Sequence, residues 1–329
     1  MSSHTIVEAS DNAGRQRTPA SAAAGILLIV VAVGLLPWFV DSYTLHLGIL
    51  AGIAVVLASS LNLITGYTGK LSLGHAAFYG IGAYASTLLN LRLGVPVILA
   101  MACAGPCAAL TAFVVGPIML RLRGAHFIIV TLSFAIVLQL VFVNWVWLTN
   151  GPTGIFGIDY PKLGAFEFSS KESYFYLVAG FACLTIFAIW RVIHSRTGRA
   201  FIALREHEQL AMSIGISSRA YSLWAFTIAG AFAGWAGALY AHYVGVITPD
   251  LLGFDVMVAT LVMLVIGGKG TLFGPVIGAV IVTYLPEQLR VLNEYRLTIF
   301  GIALMACVLL LPNGIISLRE RVMRKGSEA

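Results

Sequence analysis

The chain has 329 residues, of which 59% are hydrophobic and 10% are charged, and its formal net charge is +6 at pH 7. Soluble domains have about a quarter of their residues charged, so this composition excludes an ordinary soluble protein. The Lys and Arg residues lie in short stretches between apolar segments, which indicates membrane topology and argues against a nucleic-acid-binding domain. We therefore predict an all-α, polytopic transmembrane helix bundle.

The apolar segments predict about 8–10 membrane segments, because a spanning helix needs about 20 apolar residues. The long segments lie near 22–40, 45–64, 72–91, 95–118, 125–147, 174–193, 221–246 and 297–312. Two shorter runs, 254–267 and 272–286, are either half-helices that meet at a break or two tilted crossings. Residues 1–21 are predicted to be a disordered tail, residues 22–318 the transmembrane domain, and residues 319–329 a basic tail.

The distribution of basic residues predicts that both termini are cytoplasmic, since Lys and Arg accumulate in cytoplasmic loops. Basic residues precede the first segment, follow the fourth, fill the stretch 191–220 and close the chain. The loops 41–46, 148–173 and 247–253 are then outside. The predicted sides of these loops are the same whether the two glycine-broken regions, 66–84 and 254–286, cross the membrane or re-enter. The charge distribution therefore leaves that choice open.

Two glycine-broken regions stand out among the apolar segments. Residues 66–84 read GYTGKLSLGHAAFYGIGAY, and a shorter echo, GGKGTLFGPVIGA, begins at Gly267 within the region 254–286. Broken helix at membrane depth is tolerated only when it is buried in protein or lines a watery path. When Gly69 is aligned with Gly270, further glycines nearly coincide, which suggests an internal two-fold repeat of the kind that marks substrate paths in transporters.

Residues of these regions, and one polar residue just before the first, are candidates for a translocation path. They are Asn62, Lys70, Ser72, His75, Gly267, Gly268, Gly270 and Gly274. Structural alternatives stay open: Asn62 can bond between helices, Lys70 can mark the inner side, and His75 can satisfy a freed carbonyl. Half-helix N-termini near Leu71 or Leu272 could meet a solute carboxylate.

The stretch 198–216, GRAFIALREHEQLAMSIGI, is the longest charged run on the predicted inner side. Its apolar residues approximate helical spacing, and Gly215 is a plausible C-terminal stop. We predict a short amphipathic helix there. Such a helix lies on the lipid surface or docks in a groove of a cytoplasmic partner, and the mixed signs of its charges favour a protein partner.

These segments, followed by the terminal LLPNGI, resemble in that order the permease subunits of branched-chain amino acid ABC importers of the LivM type. The resemblance runs from about Leu45 to Leu318. It implies a permease domain that pairs with a LivH-like second permease in the bacterial inner membrane. It further implies two cytoplasmic ABC ATPase subunits and a periplasmic or extracellular solute-binding protein as partners.

Within this resemblance, the stretch 198–216 is similar to the coupling loop of ABC permeases. Gln209, Leu210, Ala211 and Gly215 stand where an E-A-A and G pattern is expected, and Glu208 stands one place before the expected glutamate. The candidates for coupling to the ATPase are Arg199, Arg205, Glu206, Glu208 and Gly215. Their alternative is a solvated charge run.

No enzymatic motif accompanies these features. Gly69 and Lys70 are followed by Leu71, so the phosphate loop G-x-x-x-x-G-K-S/T is absent, as are HExxH and GxSxG. We predict no catalytic residue, metal or cofactor, with ATP hydrolysis on other chains. An ion-coupled secondary transporter acting as a single chain is the alternative, disfavoured because the acidic residues fall at predicted helix ends or loops.

Overall fold

The computed structural model describes residues 40–164 and 166–288, together with the single positions 34, 37, 301, 305 and 314. The chain divides at Ser42 into two compact units, and the unit Tyr43–Ala329 contains the architecture described below. The prediction of an all-α polytopic bundle is confirmed, because the described residues form eleven α-helices and only four two-residue strands.

The helices follow the predicted apolar segments closely. They are α1 Ser42–Asn62, α2 His75–Leu93, α3 Val97–Met119, α4 Ala125–Asn144, α5 Val146–Thr149, α6 Lys171–Ile193, α7 Arg196–Glu206, α8 Glu208–Ser213, α9 Ser218–Val244, α10 Phe254–Gly267 and α11 Gly274–Gln288. The predicted segments 22–40 and 297–312 and both predicted tails lie largely outside the described residues.

Five helices in the described part of the chain are long and apolar enough to cross a membrane. They are Ser42–Tyr67, Val97–Met119, Ala125–Asn144, Lys171–Ile193 and Ser218–Val244. The first combines α1 with a π-helical turn, Leu63–Tyr67, that continues it. The chain is therefore a multi-pass membrane protein.

Helix α9 lies at the centre of the bundle and packs on α2 and α3 through small residues. A Cβ atom added to Gly82 of α2 would lie 2.1 Å from the carbonyl oxygen of Gly234 in α9. One added to Gly237 would lie 1.9 Å from the Tyr79 carbonyl oxygen, and one added to Gly230 would lie 2.8 Å from the Ala112 Cβ in α3. Small residues let helix backbones approach closely where lipid supplies no hydrophobic drive between helices, so glycine is required along these faces.

Helices α10 and α11 form an antiparallel hairpin. A Cβ on Gly267 would lie 1.8 Å from the Gly274 carbonyl oxygen, and one on Gly278 would lie 1.8 Å from that of Met263. With 14 residues, α10 is about 21 Å long, less than the roughly 30 Å of a hydrocarbon core. The two runs are therefore neighbours side by side, and do not form one interrupted helix.

The hairpin lies along α1. The Tyr284 hydroxyl of α11 donates to the Thr44 carbonyl oxygen near the start of α1, at 3.2 Å. At the other end, the Asn62 side chain contacts the turn between α10 and α11. The closed end of the hairpin is thus next to the end of α1.

The connections at the opposite end of α1 contain the short strands. Strand β1 (Ile155–Phe156) pairs antiparallel with β4 (Val246–Ile247), so the α5–α6 connection is tied to the end of α9. Strands β2 (Lys162–Leu163) and β3 (Phe166–Glu167) form a hairpin.

Candidate functional site

The first break, residues 68–74, separates the π-helical end of α1 from α2. Gly69 adopts φ +74°, a left-handed conformation that side chains other than glycine rarely adopt. The Thr65 hydroxyl donates to the Lys70 carbonyl oxygen at 3.3 Å and accepts from the Ser72 N–H at 3.4 Å. Thr131 of α4 accepts from the Leu73 N–H at 3.0 Å. Side-chain hydroxyls therefore satisfy backbone groups that the interrupted helix leaves unpaired.

Ser72 and His75 lie where α2 begins. The Ser72 hydroxyl accepts from the Gly74 N–H at 3.4 Å. His75 is 1% exposed, and its Nε2 lies 2.7 Å from the Ser60 hydroxyl oxygen. Because Ser60 donates its own proton to the Leu57 carbonyl at 2.6 Å, Nε2 is the donor in this pair. Within the described residues the Nδ1 atom of His75 has no hydrogen-bond partner.

The second break, residues 268–273, joins α10 to α11. Gly268 and Gly270 have φ values of +112° and +76°, so both positions favour glycine. The Thr271 hydroxyl donates to the Gly268 carbonyl at 2.8 Å and accepts from the Gly274 N–H at 3.1 Å. As at the first break, a hydroxyl group pairs with the glycine N–H at the start of the next helix.

Asn62 joins the end of α1 to the second break. Its Nδ2 donates to the Thr271 carbonyl oxygen at 2.7 Å, and its Oδ1 accepts from the Gly270 N–H at 2.8 Å. The side chain is 1% exposed. A Cβ added to Gly66 would lie 1.9 Å from this Oδ1 and 2.5 Å from the Gly270 nitrogen. The end of α1 is therefore in direct contact with the second break around one buried amide.

Helices α7 and α8 form the α7–α8 segment, residues 196–215. The Ser195 hydroxyl caps α7 by accepting from the Gly198 N–H at 3.3 Å. The predicted single helix is interrupted at His207, whose φ and ψ of −151° and 95° are those of an extended residue. This bend starts α8 at Glu208, a position where the helix dipole favours an acidic side chain. Gly215, with φ +90°, follows α8.

The α7–α8 segment has a buried face and an exposed apolar face. Phe201 and Leu204 are buried against the bundle. In contrast, Leu210 is 65% exposed and Ile214 is 72% exposed. Arg199 lies on the exposed side of α7.

Arg205 extends from α7 to the breaks. Its Nη1 donates to the Gly66 carbonyl oxygen at 3.1 Å. The Glu206 carboxylate accepts from Nε at 3.1 Å and from Nη2 at 2.8 Å, so the guanidinium is held on two sides. Arg205 thus connects the α7–α8 segment to the end of α1.

Glu208 connects the start of α8 to two other parts of the chain. Its Oε1 lies 3.6 Å from Lys70 Nζ in the first break, and it accepts a short hydrogen bond from the Ser218 hydroxyl at the start of α9. Burial raises the pKa of the Glu208 carboxyl, but the Ser218 hydroxyl and two nearby cations outweigh that effect. The cations are Lys70 and Arg123, and the net pKa is below its ordinary value.

Two open grooves meet at Glu208 and Arg123. One, of about 370 Å³, extends along the start of α9 to Arg219, and the other, of about 310 Å³, extends along the first break to Arg205. Their lining is rich in cations and suits contacts with anionic or hydrogen-bonding groups of another molecule.

The structure brings several of the predicted residues into one cluster. Asn62, Lys70, Arg205, Glu206 and Glu208 surround the two breaks with Gly66 and Gly270, while Arg199 and Gly215 lie farther along the α7–α8 segment. Sequence reasoning missed several polar members: Ser60, Thr65, Thr131, Ser218 and Thr271. Thr271 could have been found from its place inside the second glycine motif, whereas Thr131 carries no local signal.

The described residues contain no group of three or more His, Cys, Asp or Glu side chains that could hold a metal ion.

Comparisons with known proteins identify the family. The sequence model described as branched-chain amino acid transport system / permease component matches residues 43–309. The chain is 34% identical to the high-affinity branched-chain amino acid transport system permease protein LivM of Escherichia coli K12, over 88% of this chain and 74% of the relative. It is 32% identical to LivM of Salmonella typhimurium LT2, over 92% and 76% of the two chains.

A second permease type is also similar. LivH of Escherichia coli K12, likewise a high-affinity branched-chain amino acid permease protein, is 25% identical over 80% of this chain and 91% of the relative. No solved structure matches the chain. The family match and the LivM identities show that the chain belongs to the family of permease components of branched-chain amino acid transport systems.

Proposed function

We propose that this chain is the permease subunit of an ABC importer in the bacterial inner membrane. Paired with a LivH-like permease, it forms a translocation path for branched-chain amino acids or a related small polar solute, and separate ATPase subunits drive it. The observation that carries the proposal is the contact of the α7–α8 segment with both breaks through Arg205, which lies against Gly69 and Gly270.

The exposed face of the α7–α8 segment is the proposed docking surface for the ATPase. Leu210 and Ile214 expose about two thirds or more of their surface, and Arg199 is an exposed cation on α7 of the same segment. An amphipathic helix with apolar anchors fits a groove on a partner. Docking would bury these apolar side chains. The α7–α8 segment would then lie between the ATPase and the two breaks.

The starts of α2 and α11 are the proposed polar part of the path. The backbone N–H groups at a helix N-terminus carry a partial positive charge, which suits the carboxylate of an amino acid. Ser72, His75 and Gly274 lie at these two starts, and the second permease would complete the path. A solute-binding protein on the outer side would deliver the solute, so little selectivity is needed from the side chains here.

This arrangement needs the α7–α8 segment on the cytoplasmic side, with both termini of the chain on the same side. The basic residues support that orientation, because Arg121 and Arg123 in the α3–α4 connection line the same grooves as residues of the α7–α8 segment.

A labelling experiment tests the docking surface and its sidedness together. In a chain whose four native cysteines are replaced, Ile214→Cys is treated with a membrane-impermeant thiol reagent in right-side-out and inside-out vesicles. The matched control is Trp147→Cys in α5, where the native tryptophan is 75% exposed.

We expect Ile214→Cys to react only in inside-out vesicles and to be protected when the ATPase subunits are co-expressed. We expect Trp147→Cys to react from the opposite side with or without those subunits. Reaction of Ile214→Cys from the outer face, or equal reaction with and without the ATPases, would contradict the proposal.

A further inference from the structure

The Arg205 side chain occupies a space that Gly69 and Gly270 leave open between the two breaks. A Cβ on Gly69 would lie 3.1 Å from Arg205 Cγ, and a Cβ on Gly270 would lie 2.3 Å from Arg205 Nη1. Gly66 supplies the carbonyl oxygen to which that nitrogen donates. The stem of Arg205 therefore passes the first break, and its charged end lies between the end of α1 and the second break.

The Gly66 carbonyl that accepts from Arg205 lies at the end of the first membrane span. Gly66 is in the π-helical turn that ends this span, where the last carbonyl groups of a helix have no partner within the helix. A cation is also favoured at this end by the helix dipole. Arg205 thus satisfies the end of α1 from a separate helix, 139 residues away in sequence.

Neighbouring residues hold Arg205 and its target in place. Phe201, one turn before Arg205 on the same side of α7, and the adjacent Leu204 are buried, so the helix is packed against the rest of the chain at this point. Glu206 binds the other edge of the guanidinium and orients it toward Gly66. Asn62 then ties the end of α1 to the second break through Gly270 and Thr271.

We propose that Arg205 is a positioning residue that transmits movement of the α7–α8 segment to both breaks at once. A displacement of α7 relative to α1 strains or breaks the bond to Gly66 and moves the guanidinium against Gly270. Because Arg205 lies against Gly69 and Gly270, and Asn62 ties the end of α1 to the second break, both breaks change conformation together. This inference rests on the proposed function, since an ATPase must supply the displacement.

The test uses the complete importer, with its ATPases, second permease and binding protein, in liposomes. Arg205→Met keeps the length of the stem and removes every donor, and Arg205→Lys keeps one cation. Arg196→Gln, which removes an exposed cation at the start of the same helix, is the matched control. The readouts are co-purification of the subunits, ATP hydrolysis, and uptake of radiolabelled leucine.

We expect Arg205→Met to assemble and hydrolyse ATP like the wild type while its uptake falls roughly 5- to 150-fold, the range typical of coupling between two sites. Uptake by Arg205→Lys should lie between that of the wild type and that of Arg205→Met. Uptake by Arg196→Gln should match the wild type. A purely structural role would lower assembly, hydrolysis and uptake in parallel in both Arg205 variants, and that result would overturn the proposal.

A conformational readout separates transmission from other causes of lost uptake. In the cysteine-replaced importer, Thr271→Cys reports on the second break through its rate of thiol labelling. We expect ATP to change this rate with Arg205 present and to leave it unchanged with Arg205→Met. An unaltered ATP response in Arg205→Met would refute transmission through Arg205, whereas a wild-type importer without ATP-dependent uptake would instead refute the proposed function.

Discussion

Replacing Asn62 by leucine tests the contact between the end of α1 and the second break. Leucine has a similar size but can neither accept from the Gly270 N–H nor donate to the Thr271 carbonyl, which are 2.8 and 2.7 Å from the native amide. Both backbone groups would lose their partner in an interior where Asn62 itself is 1% exposed. Each lost hydrogen bond costs about 0.5–1.5 kcal/mol, so losing both should lower the free energy of unfolding by about 1–3 kcal/mol.

Asn90→Leu is the matched control, because Asn90 makes a single bond, to the Val95 carbonyl at 3.1 Å, beside the end of α2. Asn90→Leu removes one hydrogen bond where Asn62→Leu removes two, so it should cost only about 0.5–1.5 kcal/mol. The assay is denaturant unfolding of the purified chains in mixed micelles, followed by tryptophan fluorescence. The account of the breaks would be refuted if Asn62→Leu were no more destabilising than Asn90→Leu.

Further predictions concern glycines and one carboxyl. Gly66→Ala should abolish most uptake, because its Cβ would lie 1.9 Å from Asn62 Oδ1, whereas Gly180→Ala in α6, with nothing within 4 Å, should transport normally. Gly82→Ala should destabilise the α2–α9 contact by about 1–3 kcal/mol in the same unfolding assay, and unchanged stability would contradict the close approach. The pKa of Glu208 is lowered from its ordinary 4.5, so its contribution to stability should be complete above that pH and decline below it. Glu208→Gln should remove this acid-dependent decline. If the wild type and Glu208→Gln lost stability in acid to the same extent, that result would argue against the contacts with Lys70 and Ser218.

The membrane segments were predictable because apolar length and charge are properties of local sequence. The predicted segment 221–246 corresponds to α9, Ser218–Val244, and the run 254–267 coincides with α10. Local sequence left open how α10 and α11 are arranged. The answer depends on Gly267 and Gly278, whose lack of side chains permits close packing of the two helices side by side.

The site was predictable in its members but not in its contacts. The sequence offers interhelical hydrogen bonding as one role for Asn62, and the side chain does bond across elements, to partners 208 and 209 residues away. The sequence also predicts Arg205 as a coupling residue, but nothing in the periodicity of 198–216 indicates that its side chain reaches Gly66. The bend at His207 likewise interrupts a regular apolar pattern, and it places Glu208 beside Lys70 and Ser218.

ATP-dependent uptake in liposomes tests the central claim most directly, namely that this chain is a membrane path driven by ATPases on other chains. The account predicts that radiolabelled leucine accumulates only when the second permease and the ATPases are present and ATP is on the side of the α7–α8 segment. It further predicts that an ion gradient across liposomes containing this chain alone gives no accumulation. Gradient-driven accumulation by the chain alone, without ATP, would contradict the account.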